Sequence, residues 1–504
     1  MPASIVVTGI GANYATPGEF LEVSYAQGDA AGDSGATRVL LMGNKLSTGS
    51  ATANTVIYGP DTPVQCVTET DVINLFGRKS ELYRGWKKFT KVNKTTPLYL
   101  LAVAESAGTA ATLQFVVANA ATGNGVARIY IGDEFVDVTI SSGDAAATIG
   151  ANIVTAINSK LEWPVTAAGT TTVTVTASQL GPRGNWLRGM SWITPGIATT
   201  ITNSTDTFFS GGATADSNAT ALSTILRKEF FYIVSAAEDA TQVGALVTQV
   251  GTQALPATGI LQNVIYGSTT TLAASITIAT GINSPLSEMV WQKYSPLTPF
   301  ELACNHAALV TLFEVFPNPR TNFINAGQTP LDQNLWSVKP SRDDSAAPTS
   351  ADIESALNNG ISPIATLTTG GTYLVDRISN KSLTGAVADY RARDKHKIVV
   401  SQKFGKDLKA KFALQHSGKR IASDPPDGAR EPGANVITPK RAKGTVFSVI
   451  NTYDENDLLD NAQLIKDGVV VQRESSPTTR LGIRVPLRVI DNHRQTVLAV
   501  DQVA

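Results

Sequence analysis

The sequence predicts a multidomain α/β (α+β) chain. It has a layered α/β middle domain with an inserted β-rich domain, then an α+β C-terminal domain, and strand-like arms at the two ends. Three observations predict this. A chain of 504 residues exceeds what a single hydrophobic core holds together. Helix and strand signals alternate on both sides of a segment that carries mostly short strands. The first and last runs, SIVVTGI (Ser4 to Ile10) and QTVLAVDQVA (Gln495 to Ala504), are apolar ribbons that need a sheet to pair with, whereas free termini usually fray. The boundaries read as 1–30 for the N-terminal arm, 31–105 plus 213–340 for the middle domain, 106–212 for the insert, 341–490 for the C-terminal domain and 491–504 for the C-terminal arm.

Within the middle domain, TRVLLMG (Thr37 to Gly43) is a short buried-strand pattern. TETDVINLFG (Thr68 to Gly77) is a helix with a capping box of Thr68 and Asp71 and a glycine stop. PLYLLAVA (Pro97 to Ala104) is a second buried strand. From Ser106 to about Gly212 charge thins out and Thr, Ala and Gly dominate. There, alternating strands flank one helix, Ala146 to Ser159, and IYIGDEFVDV predicts a hairpin about Gly132-Asp133. Beyond it, helices Ala219 to Arg227, Ala240 to Val250 and Thr270 to Thr280 each precede a strand, and a helix from Pro299 to Phe316 closes the series. The strands on either side of the insert are expected to share one sheet.

Near Pro340 the texture changes again. SADIESALNNG predicts a helix from Ser350 with its stop at Gly360, and ISPIATLTTGGTYLVDRIS predicts a hairpin about Thr369-Gly370-Gly371. In the basic stretch from Asp389 to Leu414, Val400, Phe404, Leu408 and Phe412 recur every four residues, which gives a helix one apolar stripe. Lys395, Lys403, Lys406, Lys409 and Lys411 fall mostly off that stripe. Thr438-Pro439 starts another helix as cap and first residue. DGVVVQRES and the Arg-rich RLGIRVPLRVID follow as strands.

Composition excludes several classes. The formal net charge of −1 supplies no overall attraction to nucleic acid. At 42% apolar residues the chain is not disordered, and its 16% of charged residues suits a β-rich surface partly covered by neighbours. Cys66 and Cys304 form no CxxC, no metal cluster and no disulfide framework; they read as reduced thiols in or near a core. There is no secretory leader pattern and no apolar run long enough to span a membrane, so synthesis in the cytosol is expected.

Catalytic patterns are equally scarce. The four histidines lie in no HExxH: His306 reads as a core imidazole, and His396, His416 and His493 read as surface. No GxSxG occurs. TTGGTY and GPRGNW lack the Lys-Ser/Thr of a phosphate-binding loop and read as turns. The adjacent carboxylates Asp133-Glu134 and Asp454-Glu455 would support a surface hydrolase with a β module only if paired across a cleft. The basic helix has no interleaved aromatics for base stacking. It reads as a solvated face or as a face for an acidic protein partner.

The ordered set resembles the contractile-tail sheath family, in its Mu-like branch. ALNNGISPIATLTTGGTYLVDRIS, DGVVVQRES with RVPLRVID and the strand-like tail are similar to that family's C-terminal region. TPLYLLAVAES and SPLTPFELACNHAALVTL are similar to its middle domain. The resemblance covers nearly the whole chain. It implies a structural subunit, not an enzyme, with no cofactor and no metal. Hexameric rings of it would stack helically around a tail tube and contract to drive the tube through a target envelope. Ile5, Val6 and Val7, and Val497, Leu498 and Val500, would be strands donated to neighbouring subunits, with Gly9, Gly11 and Gly18 allowing the first arm to bend. Lys403, Lys406, Lys409, Lys440, Arg441 and Lys443 are candidate tube contacts, and the acidic run Asp454 to Asp460 is the alternative. Further partners implied are the baseplate and tail terminator, with no direct nucleic acid and no membrane insertion. The location implied is the virion, reached from the host cytoplasm. A tube or baseplate protein is the neighbouring reading.

Overall fold

The computed structural model describes residues 37–60, 62, 65–66, 68–236, 240–314, 338–366 and 371–491. Its class is the multidomain α/β one. The chain enters through β1 (Val39–Asn44), β2 (Ile57–Tyr58), α1 (Glu69–Phe76), α2 (Glu81–Val92) and β3 (Leu98–Val103). Thr68 and Asp71 cap α1 reciprocally, and Gly77 ends it at a φ of 90°. Every residue of β1 is buried, as a parallel strand covered on both faces requires.

The chain then leaves this layer. β4 (Ala110–Ala118), β5 (Gly125–Ile131), β6 (Glu134–Ile140), α3 (Ala146–Ser159), β7 (Val165–Gly169), β8 (Thr172–Leu180), β9 (Arg188–Ile193), β10 (Thr200–Ile201) and β11 (Thr207–Phe208) form two four-stranded sheets. Their orders are β10-β4-β8-β7 and β11-β9-β5-β6. The β5–β6 hairpin turns at Gly132, whose φ of 60° suits glycine. Along β8 buried residues alternate with partly exposed ones, so one face fills a core. That core runs from Ala111 to Phe209 and includes Phe115, Ile129, Ile153 and Val175.

Returning, the chain builds α4 (Ala219–Thr224), β12 (Tyr232–Ser235), α5 (Ala240–Gln253), β13 (Asn263–Ser268), α6 (Leu272–Ile282), β14 (Ser287–Trp291) and α7 (Pro299–Phe313). β3 and β12, on either side of the insert, both pair in parallel with β1. After α8 (Ser350–Asn358), β15 (Ile361–Thr366) and β16 (Thr372–Leu374) complete an eight-stranded sheet, β16-β15-β14-β13-β12-β1-β3-β2. Two of its strands thus come from beyond residue 340. α7 is apolar nearly all round and buried on every face, with His306 inside it. It approaches β13 so closely that a Cβ on Gly267 would lie 2.1 Å from the Pro299 carbonyl oxygen.

The last third holds β17 (Leu383–Thr384), β18 (Val387–Ala388), α9 (Lys395–His416), β19 (Arg420–Ile421), β20 (Val436–Ile437), α10 (Pro439–Asp454), α11 (Ala462–Gly468), β21 (Val470–Arg473) and β22 (Leu481–Arg484). One hydrophobic cluster runs without a break from Val39 and Ile265 in the sheet to Val400, Phe404, Val449 and Ile450 on α9 and α10. The turn at 369–371 falls mostly outside the described residues.

Candidate assembly surface

α9 carries the basic residues singled out above, and its packing corrects the reading of it as an amphipathic helix with one solvated face. Val400, Phe404 and Phe412 do enter the core, where Phe404 meets Tyr453 edge to face at 5.4 Å. However, the first half is buried on most of its surface, Lys395, His396, Gln402 and Lys403 included, with Lys397 and Ser401 partly exposed. Helix periodicity missed this because the polar tips find internal partners. Lys395 Nζ donates to the Pro285 carbonyl at 2.9 Å, and Gln402 Oε1 accepts from Asn263 at 2.6 Å. His396, expected on the surface, is buried, and burial lowers its pKa. His493 lies outside the described residues.

The three α9 lysines proposed to meet a tube turn toward the α/β layer. Lys403 is a correction: it is 4% exposed, donates to Thr37 Oγ1 at 3.3 Å and sits 4.7 Å from the centre of the Phe231 ring. Lys406 pairs with Glu229 and flanks the same ring. Lys409 lies against the turn at Gly259. The second set serves another neighbour. Arg441 donates to the carbonyls of Gly433 at 2.7 Å and Val436 at 2.8 Å, and to Pro432, so its guanidinium braces the long loop before α10. Lys440 is exposed and 3.7 Å from Glu431, while Lys443 lies over the Phe447 ring at 5.4 Å. The two sets thus engage different neighbours. Asp454, Glu455, Asp457 and Asp460 of the acidic run are exposed, and Asp460 lies 3.6 Å from Arg488.

β21 and β22 pair antiparallel from Val470↔Arg484 to Arg473↔Leu481, and among the described residues neither has a second strand beside it. Val470, Leu464 and Ile490 are large apolar side chains left about half exposed in this region, and Leu414 on α9 is 86% exposed. Arm residues Ile5, Val6, Val7, Val497, Leu498 and Val500 lie outside the described residues.

Of the rival carboxylate pairs, Asp133 and Glu134 have structural partners. Asp133 binds Lys88 at 2.7 Å, and Glu134 accepts from the Trp163 indole at 2.7 Å. Asp454 and Glu455 stand exposed at the end of α10. GPRGNW is a 3-10 turn, Pro182–Trp186. Among the described residues no group of three or more His, Cys, Asp or Glu side chains is placed to hold a metal, and no helix is long and apolar enough to cross a membrane.

Three buried arginines, Arg377, Arg183 and Arg188, went unnoticed in the sequence. Arg377 donates to Glu288 at 2.8 and 3.1 Å, to Glu314 at 2.9 Å and to the Tyr232 hydroxyl at 3.0 Å. Burial would raise the Glu288 pKa, but Arg377 and His306 bring it down to about 2. Arg183 binds Glu81 and Asp216. A signal was present for the first: Glu288 is a lone charge in the apolar strand SEMVW, and a buried carboxylate demands a partner.

The chain is 23% identical over 465 residues to the Mu-like prophage FluMu tail sheath protein of Haemophilus influenzae, covering 88% of each. The likeness is to a tail sheath protein. It agrees with the family that the sequence resembles. No protein-family model matches the chain. Among solved structures, the sheath tail protein of Listeria innocua is similar at 11% identity and a TM-score of 0.48, over 92% of this chain and 94% of that one. The sheath tail protein of Desulfitobacterium hafniense is similar at 15% identity and a TM-score of 0.45, over 87% and 90%.

Proposed function

We propose that the chain is a structural subunit of a contractile tail sheath. The observation that carries this is the likeness to a sheath protein along 88% of both chains. In this reading subunits form hexameric rings that stack around a tail tube and shorten to drive it through a target envelope. The terminal arms, 1–30 and 491–504, leave their own subunit. Ile5 to Val7 and Val497 to Val500 then add strands to a neighbour's C-terminal sheet. The two-stranded sheet of β21 and β22 is the acceptor in this reading, because backbone bonds supply affinity and alternate side chains supply fit. A head-to-tail contact of this kind does not close on itself and so propagates as a helix.

The same reading places 106–212 outward and 341–490 on the inner wall. Lys440 and Lys443 are the basic residues proposed to meet the tube, since Lys403, Lys406, Lys409 and Arg441 lie against other parts of the chain. Baseplate and terminator proteins are the other partners, the tail of a phage or phage-derived particle is the location, and no catalytic role is assigned.

Negative-stain electron microscopy of the full chain tests this. Hollow tubes with a regular helical repeat are expected, alone or with the cognate tube protein added. Removal of residues 496–504 should abolish them and leave folded monomers. Uniform small particles even with the tube present, or tubes unaffected by the truncation, would overturn the reading.

A further inference from the structure

Open α/β sheets take their ligands in the crevice beyond the carboxyl ends of the strands, at the point where strand order reverses. In this sheet the reversal is at β1, which has β3 on one side and β12 on the other. The residues at that crevice are Asn44, which ends β1, Ala236, which follows β12, and Glu81, which opens α2. All three are buried. The crevice is filled by a side chain of the protein itself.

Arg183 comes from the 3-10 turn of the insert and is 7% exposed. Its Nε donates to Asp216 Oδ1 at 3.1 Å and its Nη2 to Asp216 Oδ2 at 2.8 Å. Its Nη1 lies 3.3 Å from Glu81 Oε2 and also donates to the Ala236 carbonyl. Glu81 in turn accepts the Asn44 backbone N–H at 3.1 Å. Burial raises the Glu81 pKa and Arg183 opposes it; burial also acts on Asp216, but Arg183 holds that carboxyl below its usual range. Two carboxylates and a carbonyl thus surround one planar fork, the arrangement that suits guanidinium over ammonium.

The rest of the joint is largely polar, apart from Phe208 of the insert, which meets Tyr294 edge to face at 6.0 Å. Gln179 donates to Glu105 at 2.9 Å, Lys79 to the Val165 carbonyl at 2.6 Å, and Lys88 to Asp133 at 2.7 Å; Arg342 binds Asp206 at 2.9 Å and the Gly132 carbonyl. The apolar core of the insert contains residues from 111 to 209 alone, and neither core cluster of the α/β layer contains a residue from that range.

We propose that the switch-point crevice is a guanidinium-specific socket and that Arg183 is the key that docks the insert in it. Docking is then an ion-pair equilibrium, separable from the folding of either part. This does not depend on the sheath reading.

The test is limited proteolysis of full-length Arg183→Ala with a nonspecific protease, read by mass spectrometry. Cleavage at the two links, 104–109 and 210–216, should rise at least about tenfold over the parent while 110–209 stays resistant. Guanidinium chloride at about 10 mM, far below denaturing levels, should restore protection, and sodium chloride at the same concentration should not. Arg183→Lys keeps the charge without the fork. It should show the same link cleavage and is the variant to read if the alanine chain does not fold. Unchanged links in both variants, cleavage spread evenly over the chain, or equal rescue by sodium would overturn the proposal.

Discussion

Two arginines hold this molecule together at its joints, and their chemistry is nearly the same. Arg183 fixes the insert through Glu81 and Asp216; Arg377 fixes the segment after β16 through Glu288 and Glu314. Both guanidiniums are buried and each meets two carboxylates. What differs is the surroundings. Around Arg377 one hydrophobic cluster passes from the sheet into α9 and α10, so apolar burial and ion pairing act on the same joint. Around Arg183 the apolar cores stop on either side, and polar contacts with one aromatic pair, Phe208 and Tyr294, bridge the gap. An ion pair backed by a continuous core belongs to the global stability of the fold. One without that backing controls a connection between two units.

The largest expected effect comes from breaking the backed pair. Arg377→Met should leave Glu288 and Glu314 as uncompensated buried charges and cost about 3–5 kcal/mol. Calorimetry should show the main transition moving down, with the transition of the insert unchanged. If both move together, the insert is not a separate cooperative unit and the contrast between the joints fails.

Next comes the core of the insert. Ile153 on α3 is fully buried against the two small sheets. Ile153→Ala should cost about 2–5 kcal/mol, depending on how far the site collapses. The loss should fall on the insert alone, measured as earlier melting of one transition and earlier proteolysis within 110–209. A matching shift in the main transition would again merge the two units.

Local chemistry was legible in the sequence; distant partnership was not. The α1 capping box at Thr68 and Asp71, the Thr438-Pro439 start of α10, the span of α3 and the Gly132 hairpin all rest on neighbouring residues, and the structure has them. The shared sheet of β3 and β12 also followed from the alternation of elements. Arg183, by contrast, meets Glu81 from 102 residues away, and Arg377 meets Glu288 from 89. No periodicity encodes such pairs. α9 shows the same limit from the other side. Its apolar stripe is real, yet Lys395 and Lys403 are hidden because Pro285, Thr37 and Phe231, all remote in sequence, receive their ammonium groups. At the candidate assembly surface, the strands β21 and β22 follow from the sequence patterns, whereas the different neighbours of the six basic residues needed the packing of α9 and α10.

The smallest effect at neutral pH, and the sharpest probe of the backed joint, concerns Lys395. Burial lowers its pKa to about 7, Glu288 and Glu314 pull it back up, and Arg377 pushes it down. A base whose folded pKa is depressed adds stability above its unfolded value, and that stability is lost as pH falls to the folded one. Stability should therefore decline as pH drops from about 10.5 to about 7, through this group alone. Glu288 behaves likewise at lower pH: its contribution is present above 4.5 and is lost as pH falls toward about 2. Lys395→Met removes a buried amine but also leaves the Pro285 carbonyl without its donor. The two changes oppose each other, so the net shift at pH 7 should be smaller than either alone. The slope between pH 7 and 10.5 should flatten, read from urea midpoints at pH 7, 8.5 and 10. An unchanged slope would mean that Lys395 keeps its proton through this range, held by Glu288 and Glu314, and that the joint is a three-way ion cluster rather than one arginine with two carboxylates.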